Sequence, residues 1–229
     1  LPMIGFGQQT YVPDDNFEQI LINLGYDNIL DDNVLTANIN TVTSLYVGNH
    51  SISDLTGIED FTALTDLHCG DNNLTSLDVS EATALTTLYC YSNQLTNLDV
   101  SQNTNLIDLD CSGNPLTNLN VTGLTALLWM YTDFCHLTSL DVSTNISLEE
   151  LDFEMNQISS IDLSNNTALS YLYCTFNQLT SLDLSLNIAL EFLMCRDNQL
   201  TCLNLRDINQ QNMTGLLTYN NPCLYCIEV

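Results

Sequence analysis

Residues 85–101, Leu85-Thr86-Thr87-Leu88-Tyr89-Cys90-Tyr91-Ser92-Asn93-Gln94-Leu95-Thr96-Asn97-Leu98-Asp99-Val100-Ser101, decide the fold, because most of the chain repeats them. The same frame returns from Val42, Leu64, Leu106, Leu127, Leu148, Leu169, Leu190 and Met213, at a 21-residue step in the middle, 22 at the first step and 23 at the last. A unit this short cannot bury its own apolar face, so its copies must stack as coils of a solenoid. With Leu85 taken as position 1, positions 1, 4 and 6 fall on a short strand facing inward, and positions 11, 14 and 16 (Leu95, Leu98, Val100) close the core from the far side.

The template LxxLxCxxNxLxxLDVSxNxx matches the leucine-rich-repeat pattern LxxLxLxxNxL. It predicts a right-handed leucine-rich-repeat solenoid of nine coils, with a parallel sheet on its concave face. Coils of this length leave no room for a full helix on the convex face, which is expected to be extended or turn-like. Position 9 is Asn72, Asn93, Asn114, Asn156, Asn177, Asn198 and Asn221, with His50 and Cys135 in the other two coils. Its buried amide is expected to satisfy backbone groups of adjacent coils. Ahead of the array, Asp15-Asn16-Phe17-Glu18 has capping-box spacing with Asp15 as cap, Phe17, Ile20, Leu21 and Leu24 form one helical stripe, and Gly25 is a suitable stop. The expected organisation is a signal-peptide remnant over 1–8, an N-terminal cap with a short helix over 9–41, eight repeats over 42–212, and a terminal repeat with C-terminal cap over 213–229. The remnant reading rests on Leu1 to Gln8, apolar and small before the chain turns polar at Gln9, and it implies export.

Charge restricts the partners. Against 28 Asp plus Glu the chain sets only Arg196 and Arg206, for a net charge of −26. Such a surface repels phosphate backbones and anionic headgroups, which argues against nucleic acid. The sequence holds no apolar run long enough to insert in a membrane. Suitable partners are cationic, neutral or bridged by divalent cations. No cofactor motif is present: phosphate-binding glycine loops and HExxH are both missing. Asp133-Phe134-Cys135-His136 sets a thiol beside a histidine, but Cys135 falls in the buried Asn column and His136 faces out, so the chain is not expected to be an enzyme.

Five of the nine cysteines, Cys69, Cys90, Cys111, Cys174 and Cys195, share inward position 6. Stacked about 4.8 Å apart in register, they suit a ladder of buried thiols better than disulfides, whose Cβ atoms converge to about 3.8 Å. Zinc needs ligands gathered tetrahedrally rather than in a line, so no metal is expected. Near the C-terminus, Cys202 neighbours both Cys226 and Cys223; a disulfide from Cys202 to Cys226 is expected first, to Cys223 second. Position 15 is acidic in five coils (Asp78, Asp99, Asp141, Asp162, Asp183) and Asn120 or Asn204 in two others. That interchange favours acceptance of backbone N–H groups in turns over a calcium array.

The 21-residue unit, the inward cysteine column and the LDVSxN segment resemble the internalin family of bacterial surface proteins, particularly its cysteine-ladder branch, over about residues 42 to 226. The resemblance implies secretion or display on a bacterial surface and recognition of host, neighbour or matrix molecules. It departs from the family in showing no cell-wall sorting signal after the last coil, so the manner of anchoring is left open.

Outward strand positions carry the candidate ligand site. Coils 4 to 8 present Trp129, Tyr131, Phe134, Tyr171, Tyr173, Phe176 and Phe192, with Tyr89 and Tyr91 just before them. Interleaved are Asp108, Asp110, Asp133, Glu149, Glu150, Asp152 and Glu154. Rings beside carboxylates suit sugar stacking or a protein with basic residues; alternatively, some rings pack only on one another. The expected function is a non-catalytic extracellular module binding a protein or glycan. A structural spacer or stalk, and an accessory domain of a larger secreted protein, are the alternatives.

Overall fold

A computed structural model describes residues 7–209 and 211–229. The signal-peptide reading falls mainly on residues 1–6, outside the described residues. Among the described residues, nine three-residue strands, from Ser44–Tyr46 to Gly215–Leu217, form one parallel sheet in which each coil pairs with the next. Positions 1, 4, 6, 11, 14 and 16 of coil 3 (Leu85, Leu88, Cys90, Leu95, Leu98, Val100) are buried, and their copies form one continuous core. The convex side is turns and single bridges, Asp78 to Asp99 and Asp99 to Asn120, that become a second parallel sheet only at the C-terminal end. The solenoid is therefore of the leucine-rich-repeat type.

Two asparagine columns wire the coils together. Asn93 Nδ2 donates to the Cys90 carbonyl of its own coil and the Cys69 carbonyl of the coil before, both at 3.0 Å, while its Oδ1 accepts from Leu74 N at 2.9 Å. Asn114, Asn177 and Asn198 repeat this arrangement, and Asn72 accepts from both His50 N and Ile52 N. Asn156 Nδ2 reaches the Thr132 carbonyl. Where Cys135 takes the column, its thiol donates to the Cys111 carbonyl at 3.5 Å. Leu116 N, which has no asparagine to reach, turns to the Asn114 carbonyl at 2.8 Å. A second column, at position 19, lies in the template but its role escaped the sequence reading. Asn103, Asn145, Asn166 and Asn187 are fully buried, and each amide donates to two carbonyls of the preceding coil at 2.8–3.0 Å.

The N-terminal helix, Asp15–Asn23, starts one residue earlier than expected. Its cap is Asp14, whose Oδ1 accepts from Asn16 N and Phe17 N and whose Oδ2 accepts from Ser53 N, Ser53 Oγ and Asp54 N. That single carboxylate ties the helix to coil 1, which Asp15 could not do from the helix itself. Glu18 consequently does not return to the cap. It is buried and accepts from Asp31 N and Asn33 N at 3.1 and 3.0 Å. Gly25, at φ +81°, ends the helix: its N–H reaches the Ile22 carbonyl and Tyr26 N reaches Leu21.

On the convex face, Oδ1 of Asp78, Asp99, Asp141, Asp162 and Asp183 accepts from the serine N–H two residues on, at 2.9–3.0 Å. Asn120 and Asn204 make the same bond. At the C-terminal end, strand register sets Cys202 opposite Cys226, with Sγ atoms 2.7 Å apart, while Cys223 is exposed.

Candidate ligand-binding face

On the concave sheet, register builds two columns in which acid and ring alternate. Position 3 reads Asp108, Trp129, Glu150, Tyr171, Phe192; position 5 reads Asp110, Tyr131, Asp152, Tyr173, Met194. Parallel strands lie about 4.8 Å apart. Carboxylates of one column are thus held roughly 10 Å apart with a ring between them, about a Debye length in dilute salt. Within each column the alternation sets a ring between like charges, whereas across the two columns Asp108 neighbours Asp110 and Glu150 neighbours Asp152 on the same strands.

The rings also serve the acids. The Tyr89 hydroxyl donates to Asp108, and Tyr171 donates to Glu191 at 3.3 Å. Burial pushes the carboxyls of Asp108, Asp110 and Glu150 above their ordinary range. Asp152 rises furthest, to about 7, through burial and the nearby charges of Asp133, Glu154 and Glu150. Asp110 and Asp152 each accept one backbone N–H, from Ser112 and Glu154. Oδ1 of Asp108 and Oε1 of Glu154 are buried without a hydrogen-bond partner among the described residues.

The aromatic residues divide into groups. Tyr89 meets His68 edge to face and His68 in turn lies tilted against Tyr46, ring centroids 4.5 and 4.4 Å apart, toward the N-terminal end. Tyr91 lies across Gly70, where any Cβ would fall 2.6 Å from its ring, and Phe192 covers Gly215 in the same way. Tyr173 packs on Phe192 at 5.2 Å. Tyr131 and Tyr171 are half-buried, and Trp129 is 37% exposed. Self-packing therefore accounts for Tyr89, Tyr91, Tyr173 and Phe192 in part, and leaves Trp129, Phe134 and Phe176 presented to solvent.

Position 8 adds a feature that the sequence reading missed. Its residue has left-handed backbone in all nine coils: Asn49, Asp71, Ser92, Gly113, Phe134, Met155, Phe176, Asp197 and Asn220, at φ between 49° and 63°. Glycine and Asn or Asp tolerate that conformation, whereas a bulky side chain there costs roughly 1–2 kcal/mol. Coils 5, 6 and 7 nonetheless place Phe134, Met155 and Phe176 in it, 60%, 37% and 40% exposed. They form a continuous apolar ridge along the rim of the acidic face. The ridge ends at Arg196, whose guanidinium sits 5.5 Å from the rings of both Phe176 and Tyr219 and donates to the Tyr219 hydroxyl at 2.8 Å. A column that changes from Asn, Asp and Gly to Phe and Met was the available signal for Met155.

The ladder thiols are held in their protonated form. Burial pushes the thiols of Cys69 and Cys195 up to about 12 and those of Cys90 and Cys174 well above their ordinary value. Cys135 is buried and His136 exposed, so they do not form a catalytic pair.

Parallel coils, two asparagine columns and an inward thiol column define a leucine-rich-repeat domain with a cysteine ladder. Within that class the chain resembles the internalins. A 71-residue segment is 41% identical to internalin J of Listeria monocytogenes serotype 4b (strain F2365), covering 31% of this chain and 8% of that protein. The fold superposes with a TM-score of 0.71 and 33% identity on the solved functional domain of InlJ from Listeria monocytogenes, which includes a cysteine ladder. That match covers 97% of this chain and 61% of the InlJ domain, so the chain spans less than two thirds of it. An internalin C2 (inlC2) from Listeria monocytogenes strain 4b F2365 shares the fold at a TM-score of 0.72 and 21% identity, covering 97% of each chain. No protein-family model matches the chain.

Proposed function

We propose that this chain is a non-catalytic extracellular recognition module whose concave face, centred on coils 4 to 8, captures a protein or a glycan. The observation that carries the reading is the ridge of Phe134, Met155 and Phe176. Three large apolar side chains occupy backbone that disfavours them and keep much of their surface in solvent, Phe134 most of all at 60%, so burial offsets that strain only in part. Strain maintained at a surface without a full stability return fits a contact made with something else. The adjoining carboxylates of Asp108, Asp110, Asp133, Glu150, Asp152 and Glu154 favour a partner bearing basic groups, or one bridged through a cation. A stalk or spacer has no use for such a ridge. The resemblance to internalins supports display outside a bacterial cell.

The test exposes the purified chain to a glycan array and to a peptide array graded in net charge. Selective capture on either array, strengthened among peptides by positive charge and weakened by salt, is the expected result. Silence on both, or capture independent of peptide charge together with no glycan, would overturn the reading.

A further inference from the structure

We propose that a depression at coil 4 is a seat for an organic cation, the ammonium or guanidinium group of a partner's side chain. This rests on the concave face being the binding surface and narrows it to one pocket and one ligand chemistry. Positions 7 and 8 of coil 4 are Ser112 and Gly113, while the flanking coils raise Tyr91 on one side and Asp133 and Phe134 on the other. The gap leaves an open depression of about 450 Å³, lined by Asp110, Asp133 and the side chains of Tyr91, Tyr131 and Phe134. That volume lies within the range of small-ligand sites, roughly 300–1,000 Å³.

The chemistry of the lining selects a cation. Ring faces attract ammonium and guanidinium groups placed within about 6 Å of their centroids. The molecule already uses that pairing at coil 8, where the Arg196 guanidinium sits 5.5 Å from two rings. The Asp110 carboxylate is half-buried, is raised by desolvation and accepts from Ser112 N at 3.0 Å. A partly desolvated carboxylate gains from a counter-charge. The chain supplies none nearby. It has no lysine, and its two arginines lie in coil 8, Arg196 against Phe176, Tyr219 and Asp197, Arg206 against Glu228.

An inorganic divalent ion fits less well. Calcium takes about 6–8 oxygen ligands. Among the described residues, the one close grouping of three potential metal-binding side chains is at Cys202, Cys226 and Glu228, away from this pocket.

The probes are tetramethylammonium, N-acetyl-lysine methylamide and N-acetyl-arginine methylamide, against tert-butanol and N-acetyl-citrulline methylamide as neutral counterparts, at constant ionic strength. Tyrosine ring shifts are followed by NMR. Saturable shifts at Tyr91 and Tyr131 are expected with the cations, at millimolar Kd, with the neutral analogues about tenfold weaker or more. A preference for the amino-acid amides marks a protein side chain as the source, and a preference for tetramethylammonium marks a free quaternary amine. Two variants test the pocket. Gly113→Asn keeps a residue that tolerates left-handed backbone but fills the gap, and Asp110→Asn removes the charge while keeping the acceptor for Ser112 N. Each should weaken cation binding about tenfold or more with circular dichroism unchanged. Equal binding of neutral analogues, no saturable shift, insensitivity to both variants, or calcium producing the same shifts would overturn the pocket. Array capture that persists alongside a silent cation titration refutes the pocket alone; loss of capture on both arrays refutes the binding face itself.

Discussion

Replacing Asn93 by Ala tests whether the asparagine column, rather than apolar stacking alone, holds successive coils in register. The amide donates to the Cys69, Cys90 and Tyr91 carbonyls at 3.0, 3.0 and 3.1 Å and accepts from Leu74 N at 2.9 Å. The losses are unequal. Cys69 O keeps a bond from Asn72, Cys90 O one from Asn114, and Tyr91 O one from Asp71 N. Leu74 N, on a fully buried residue, is left with no partner. One orphaned buried N–H costs about 1–3 kcal/mol, and three weakened acceptors add about 0.5–1 kcal/mol each. The expected loss is about 2.5–6 kcal/mol, a fall in Tm of roughly 5–24 °C at this chain length. Denaturant unfolding followed by circular dichroism measures it. Cys135→Asn is the counterpart: it restores the amide where Leu116 N has already turned to Asn114 O, so it should change stability by less than about 1 kcal/mol. A loss below about 1 kcal/mol for Asn93→Ala would refute the assignment of coil registry to the amide column.

Thiol chemistry should separate the ladder from the C-terminal end. With burial raising Cys69, Cys90, Cys174 and Cys195, iodoacetamide at pH 8 should label Cys223 in the folded protein and none of the ladder. Ladder labelling at the Cys223 rate would contradict their burial. We propose that Cys202 and Cys226 pair when oxidised; peptide mapping should find that link two hydrogens lighter and remove it on reduction, whereas a Cys202–Cys223 peptide would correct the pairing. Stability should also have an optimum on the acid side of neutrality. Asp152, raised to about 7, contributes stability that is full below about pH 4 and lost as pH rises through 7. Asp14 acts oppositely. Burial raises it, but hydrogen bonds from Ser53, Phe17 and Asp54 hold it below its ordinary value, and its contribution is lost as pH falls below about 4. Denaturation midpoints at constant ionic strength should peak between about pH 4 and 6; a steady rise from pH 5 to 8 would contradict this.

The solenoid was legible because its information is periodic. Each inward column is a vote repeated at fixed spacing, and no single substitution, such as Cys135 for Asn, disturbs it. The cap was misjudged by one residue because Asp14 and Asp15 are chemically equal in sequence. Only the position of Ser53, far along the chain, chooses Asp14. On the concave face, the aromatic and acidic columns were legible in the sequence pattern but their division was not. That Tyr91 lies on Gly70 while Trp129 faces solvent depends on which neighbour is small in the adjoining coil. Met155 went unnoticed because methionine reads as core filler until its left-handed backbone is seen.

The central claim is that the concave face of coils 4 to 8 is the capturing surface. The direct measurement compares, on array probes that bind the wild type, the triple variant Trp129→Ser, Tyr131→Ser, Tyr173→Ser with a convex-face control carrying Gln102→Ala and Thr104→Ala. The account predicts loss of capture in the triple variant, full capture in the control, and unchanged circular dichroism in both. Capture surviving in a folded triple variant would contradict it.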